Sequence, residues 1–210
     1  MTRPRFVIFG TGGMGRDLVL PAQHMLAGEE RDLELVFATD AGGPPVCGLR
    51  VIRADEIGSE DEVVVAIGDS QVRRAVSERL RGRSGRLVAP TCLIGPDVEI
   101  GEGAVLCANT MITASVRIGR QFQANIYSYV THDCIIGDFV TFAPRASCNG
   151  NVHIADGAYI GAGAILRNGK PGAPLVIGEK AVVGMGAVVT ASVPAGATVV
   201  GNPARPLRRR

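Results

Sequence analysis

His132 and Asp133 stand side by side in the stretch YSYVTHDCIIGD, residues 127–138. An imidazole beside a carboxylate suits the removal of a proton from a weak nucleophile. The neutral ring accepts the proton near pH 7, and the acid orients it and favours the imidazolium that forms. The chain holds three histidines. His24 falls in a run read as helix and His153 sits beside an inward valine, so neither has comparable company. The competing reading of His132 is a polar side chain on an exposed corner, and the surrounding framework has to decide between the two.

That framework is a repeat of six. Stepping from Ile94 gives Ile100, Leu106, Ile112, Ile118, Ala124, Val130, Ile136, Phe142, Cys148, Ile154, Ile160 and Leu166, nearly all aliphatic and none charged. A second row from Val98 (Ala104, Thr110, Val116 and onward to Ala164) is mostly small. Period six fits neither a helix nor a plain strand. It fits a short strand plus a turn, three of which close a triangular coil whose stack buries a continuous apolar column. Glycine often follows the first row, at Gly95, Gly101, Gly119, Gly137 and Gly161, where corners are expected to need permissive backbone angles. His132 lies two residues past inward Val130 and is off both rows, so it is expected to point outward. Cys92, Cys134 and Cys148 fall on inward rows and read as small buried hydrophobes, which argues against an acyl-enzyme through Cys134.

Between Leu166 and Ile177 the spacing is eleven instead of six. The surplus must leave the coil as a loop, with Lys170, Pro171 and Gly172 at its turn, before the phase resumes at Ile177, Val183 and Val189. A loop thrown from a rigid prism is suited to shaping a groove.

Residues 1–89 read differently. RFVIFG, LELVFATD, EVVVAIGD and RLVAP are strands; a helix follows the first, with Pro21 expected to disturb it, and SQVRRAVSERLRG is a second helix with Ser70 as its expected N-cap. Alternating strand and helix implies a small parallel α/β sheet. Gly10, Gly12 and Gly15 match GxGxxG between strand and helix, and Asp40 closes the next strand. Backbone amides at such a turn bind phosphate. Some 85 residues hold about one half of a dinucleotide fold, which favours a mononucleotide or nucleotide-sugar diphosphate over NAD. The reading of these glycines as mere packing stays open.

Bulk properties narrow the class. A net charge of +2 in 210 residues argues against nucleic acid, and the basic ending RPLRRR reads as either a solvated tail or a local phosphate contact. Aromatics are 4%, tryptophan is absent and glycines number 28, a profile for many tight repeated turns. The N-terminus lacks a secretory signal pattern and no apolar run is long enough to span a bilayer, so a cytoplasmic location off the membrane is expected. The five cysteines lack metal-ligand spacing, are expected reduced, and imply no metal.

VIFGTGGMG, VVVAIGDSQVRR, HDCIIGD, CNGNVHI, VVGMGAVV and VVGNPAR together resemble one family, the nucleotide-sugar and sialic-acid acetyltransferases of the left-handed β-helix superfamily. The resemblance covers essentially the whole chain. It implies a Rossmann-like domain at 1–89 and a left-handed parallel β-helix at 90–210. It implies acetyl transfer from acetyl-CoA to the amine of a nucleotide-linked 4-amino-sugar, in a homotrimer with each site between neighbouring prisms. It makes His132 the general base, Asp133 the acid that raises its basicity, and the Gly150 amide the holder of the thioester carbonyl. Gly12, Gly13, Met14 and Asp40 would bind the nucleotide, with Gly68, Asp69 and Arg73 at the same pocket and Asn125 facing the sugar. Acetyl-CoA would lie along Ala162 and Met185, with Thr141, Lys170 and Arg205 as further contacts. Met14, Thr131, Thr141 and the APRA corner depart from commoner family residues. O-acetylation of a sialic acid or similar sugar, a non-catalytic scaffold with a ligand-sensing domain, and an NAD-linked redox protein are the alternatives.

Overall fold

The computed structural model describes residues 3–29 and 31–207; of the RPLRRR ending, the last three arginines lie outside the described residues. The N-terminal part is a six-stranded sheet. Its strands are β1 (Arg5–Phe9), β2 (Glu34–Thr39), β3 (Gly43–Val46), β4 (Leu49–Arg53), β5 (Glu62–Val65) and β6 (Arg83–Ser84), in the spatial order β3-β4-β2-β1-β5-β6. All pairings are parallel except the β3–β4 hairpin. β1 and β5 are apolar throughout their buried residues, as befits strands covered on both faces. The hairpin escaped the sequence reading because GPPV does not look like a strand. Its two prolines are accommodated at the sheet edge, and Cys47 and Gly48 supply the two positive φ angles (49° and 75°) of a tight hairpin turn.

The first helical segment is two helices, α1 (Gly13–Asp17) and α2 (Val19–Gly28). The break falls at Leu18, ahead of Pro21, which occupies the first turn of α2, where an N–H has no helical partner to lose. Helix α3 (Ser70–Arg79) is capped by Asp69, whose Oδ1 accepts from the Gln71 and Val72 amides at 2.9 Å each. The expected cap, Ser70, instead donates its hydroxyl to the Gly157 carbonyl.

From Leu87 onward the chain winds as a triangular prism with eight-, six- and five-stranded walls. The first wall starts at Leu87–Val88, the second at Leu93–Ile94 and the third at Val98–Ile100, and neighbouring coils pair in parallel register eighteen residues apart. RLVAP therefore contributes to the prism's first wall, and the short parallel strand of the N-terminal sheet after α3 is β6. From Leu106 onward both inward rows are buried in one apolar column reaching Val199, while at the first coil Cys92, Val98 and Ile100 are partly buried and Ile94 is exposed. The first wall ends with Arg205–Pro206, which runs antiparallel to Thr198–Val200.

The corners correct one expectation. Positive φ occurs not at Gly95, Gly101, Gly119, Gly137 and Gly161 but two residues later, at Asp97, Gly103, Gln121, Phe139 and Gly163. The glycines after the first row have a different cause, the closeness of the next coil. A Cβ on Gly161 would lie 2.6 Å from both the Met185 nitrogen and the Val183 oxygen.

Gly161→Ala is expected to force two coils apart and to lose about 1–3 kcal/mol of stability. Gly163→Asn, with open space and a φ of 66° that asparagine tolerates, is expected to stay within about 0.5 kcal/mol of wild type. Denaturant midpoints of the two variants check the pair.

Candidate active site

His132 projects from the edge between the second and third walls, with 59% of its side chain exposed. Its Nδ1 lies 2.8 Å from Asp133 Oδ2. A carboxylate there fixes the proton on Nδ1 and leaves Nε2 as the basic nitrogen. Asp133 takes the left-handed corner conformation, φ 58°, which turns its carboxylate back to the ring. Eighteen residues on, Gly150 occupies the same place in the next coil. A Cβ there would lie 2.4 Å from His132 Cε1 and 2.6 Å from Nε2, so only glycine lets the ring lie against that backbone. Among the described residues no hydrogen bond takes up the Gly150 N–H, while its carbonyl accepts from Gly169. This last bond ties the inserted loop beneath the same corner, and Lys170, joined to Ala173 by two backbone bonds, sits exposed at its tip. An imidazole, a carboxylate bonded to it, a free amide donor and a loop cation thus share one edge.

Cys134 is 1% exposed and hydrogen-bonds into the column, to the carbonyls of His132 and Asn149, with Cys148 Sγ 3.9 Å away. Burial drives the Cys148 thiol well above its usual range, and Cys134 adds to this. Neither thiol faces the imidazole edge.

A second group lies on the edge between the first and second walls. Asn125 donates its side-chain amide to the Phe142 carbonyl at 2.8 Å, and Ala162 and exposed Met185 follow on lower coils of that edge. The α1 end of the N-terminal sheet abuts it, since Leu18 and partly buried Met14 pack in one cluster with Val105 and Cys107. The two edges are separated by the whole second wall, up to roughly 20 Å of extended chain.

The glycines of the N-terminal loop divide by cause. Gly15 is a packing necessity, since a Cβ would lie 1.9 Å from the Gly10 oxygen. Gly12, Gly13 and Gly68 meet nothing within 4 Å of an added Cβ, so no internal contact explains them. Gly12, Asp40 and Gly68 follow the carboxyl ends of β1, β2 and β5, the rim where open parallel sheets bind ligands. Exposed Asp40 pairs with Arg79 on the rim of a hollow of about 330 Å³. Gly68 and Asp69 line a larger hollow of about 470 Å³, between the start of α3 and the first wall, with Tyr159 and Lys180 opposite.

Arg73 and Thr141 are placed otherwise than the resemblance implies. Arg73 has no exposed surface. Its Nε donates to the Gln121 carbonyl (3.2 Å), Nη1 to Ile67 O (2.6 Å), Gly68 O (3.1 Å) and Gln123 Oε1 (3.0 Å), and Nη2 to Phe139 O (2.7 Å) and Thr141 Oγ1 (3.0 Å). Burial lowers its pKa to about 10 against the opposing pull of Asp69, so it remains a cation at neutral pH. Thr141, also buried, donates its hydroxyl to Gly68 O at 3.0 Å, and Gln123 Nε2 donates to Val65 O at 2.6 Å. These groups weld sheet to prism, and none of their donors is left for a substrate or for CoA. Sequence reasoning missed Gln123 and the welding role of Thr141, because an outward position on a wall gives no sign of what covers it. Arg205 is exposed and pairs with Val200, its guanidinium donating to the Ala204 carbonyl; Gly201 and Ala204 bond Val188 of the second wall, which sets Arg205 beside the edge that carries Met185. No cluster of metal-ligating side chains occurs among the described residues, and no helix there is long and apolar enough to cross a membrane.

No family model matches the chain. A GDP-perosamine N-acetyltransferase of Escherichia coli O157:H7 is 43% identical over 211 residues, covering 96% of each protein. WeeI from Acinetobacter baumannii AYE superposes with a TM-score of 0.88 at 42% identity, over 97% of this chain and 99% of that one. The acetyltransferase domain of PglB from Neisseria gonorrhoeae FA1090, solved in complex with acetyl coenzyme A, gives 0.87 at 29% identity, over 98% and 100%. With nearly full-length identity to a curated relative, and with the hexad coils and the imidazole edge in place, the chain belongs to the hexapeptide-repeat family of acetyl-CoA-dependent N-acetyltransferases that includes GDP-perosamine N-acetyltransferase.

Proposed function

We propose that the chain acetylates the amino group of a nucleotide-linked 4-amino-sugar by direct attack on acetyl-CoA, with His132 as the general base. The observation that carries this is the imidazole held by Asp133 and lying on Gly150, whose N–H is uncommitted. The amine nitrogen attacks the thioester carbon and a C–N bond forms while Nε2 of His132 takes the proton. The negative charge gathering on the carbonyl oxygen meets the Gly150 N–H. Collapse breaks the C–S bond, and the CoA thiolate recovers the proton from the imidazolium. A thioester is already activated, so no enzyme nucleophile is required. Lys170, at the loop tip below Gly150, is placed to meet the anionic part of CoA.

The nucleotide is assigned to the carboxyl rim of the N-terminal sheet, over Gly12, Gly13 and Met14, with Asp40, Gly68 and Asp69 around it. On this reading the sheet is a Rossmann-like nucleotide site, and the prism is wound left-handed. The 43% identical relative is named for GDP-perosamine, which makes a GDP-linked amino-sugar the first acceptor to test.

Within one chain the imidazole edge and the Asn125–Ala162–Met185 edge cannot meet, because a wall lies between them. That wall carries a ladder of outward side chains, Leu93, Met111, Tyr129, Ile165 and Val188 with Ser147 among them, and Leu93 is 65% exposed. A homotrimer would cover this apolar stripe and bring the imidazole edge of one prism against the sugar and CoA edge of the next.

His132→Ala is expected to lower kcat by at least about 10²-fold with binding of both substrates kept. Gly150→Ala, which pushes the ring aside, is expected to lower kcat by about 10²-fold. Thiol release from acetyl-CoA across UDP-, GDP- and dTDP-linked 4-amino-sugars checks both, and near-normal turnover of His132→Ala removes the assignment. Calorimetric titration of GDP, UDP and NADH tests the rim, with tight binding of NADH alone as the overturning result. For the shared site, mixing inactive His132→Ala chains with inactive Gly13→Glu chains is expected to restore turnover. Failure to complement after subunit exchange refutes it.

A further inference from the structure

We propose that Arg73 is a positioning residue for the reaction. It locks the nucleotide-binding sheet onto the prism at the one angle that delivers the acceptor amine to the imidazole edge. The inference rests on the reading of the sheet rim as the nucleotide site. Three observations support it.

Arg73 is the only fully buried cation among the described residues, and it has no carboxylate partner. A bare guanidinium inside a protein is costly unless its donors are filled. Here they are filled from both bodies at once: Ile67 and Gly68 belong to the rim, while Gln121, Gln123, Phe139 and Thr141 belong to two successive crossings of the prism's first wall. Releasing the sheet would strand the charge, so the joint is all-or-none.

The second observation is where the fork grips. Gly68 O receives both Arg73 Nη1 and Thr141 Oγ1, and Gly68 is the rim residue open to a ligand. A displacement of that carbonyl is a displacement of the bound nucleotide. The third is that, beside this cluster with its Gln123 and Thr141 bonds, the joint carries a 3.2 Å bond from Ser70 to the Gly157 carbonyl and a 4.0 Å Glu78–Arg120 pair, and its remaining broad contact is apolar. α2 and β1 meet the first wall through Leu87, Val105 and Cys107 in one cluster with Leu18, Met25 and Phe6, contacts that tolerate small shifts better than a planar fork does.

The signature of positioning is a split between partial and complete functions. The experiment compares full-length wild type, Arg73→Met and Thr141→Val in three measurements: calorimetric affinity for GDP and UDP, CoA release with a high concentration of a free amino-sugar lacking a nucleotide, and kcat with the nucleotide-linked amino-sugar. In Arg73→Met the first two are expected to be unchanged, while kcat with the tethered acceptor falls by about 10²-fold, as for a catalytic geometry misplaced by an ångström. Thr141→Val, which removes the hydroxyl from the Gly68 carbonyl but keeps shape, is expected to show the same split at about fivefold to tenfold.

Arg73→Met with wild-type turnover on the tethered acceptor overturns the inference, and so does Arg73→Met losing nucleotide affinity in step with turnover. If Arg73→Met does not fold, Thr141→Val decides: wild-type kcat, or a raised KM for acetyl-CoA alone, overturns the proposal. Wild-type protein that binds neither nucleoside diphosphate refutes the rim reading itself, a result separable from the behaviour of the variants.

Discussion

Stacked coils of parallel strands sit roughly 4.8 Å apart, and that spacing governs the rest of the molecule. A residue meets the one eighteen positions on, and at certain corner positions there is no room for a side chain between them. This is why a Cβ on Gly137 or Gly119 would strike the aspartate of the next coil, and why Gly150 must be bare for the ring of His132 to lie on it. The imidazole edge is thus a local use of the general rule. One corner carries a side chain that leans over its neighbour, and the neighbour gives up its own side chain. The amide this leaves uncovered is the one to which the proposed mechanism assigns the developing oxyanion.

A rigid prism solves only half of the positioning problem if, as proposed, the acceptor is held by a different body. The sheet rests on the first wall through apolar contacts, and most of the directional contact gathers at one guanidinium and its ring of acceptors, with the Ser70–Gly157 bond and the Glu78–Arg120 pair beside it. Phe139 completes the joint. Buried at a corner with φ 57°, it presents its ring to Arg74 (4.1 Å from the ring centre) and Arg120 (5.1 Å) as well. Three arginines of two bodies therefore gather around one aromatic corner of the prism.

Much of this was legible in the residues. A hexad row of aliphatics has a single geometric solution, so the prism, its buried cysteines and the outward histidine could be read before any coordinates. The inserted loop at Lys170 was visible as a change of spacing. What was not legible shares one physical character: it depends on which surfaces meet. RLVAP is a strand in either body, and only its pairing with Val105–Leu106 assigns it to the prism. Arg73 in IGDSQVRR was found at the right place but given the wrong direction, because spacing says where a cation stands and not what encloses it. Ser70 and Asp69 are both competent caps, and the choice fell to Asp69 because Ser70 is drawn to Gly157 of the prism. The glycines of the corners were recognised as needed but for the wrong reason, since torsional freedom and neighbour clearance select the same residue.

The short terminal strand at Arg205–Pro206 has a consequence of its own. A parallel ladder has no intrinsic end: its last rung offers a row of amides and carbonyls to any further extended segment, including another prism's first rung. By doubling back against Thr198–Val200, the chain covers that row with its own backbone, and Pro206 supplies a link with no N–H to offer onward. The last coil of the first wall thus carries a blunted edge, with its outermost rung antiparallel to the one before it.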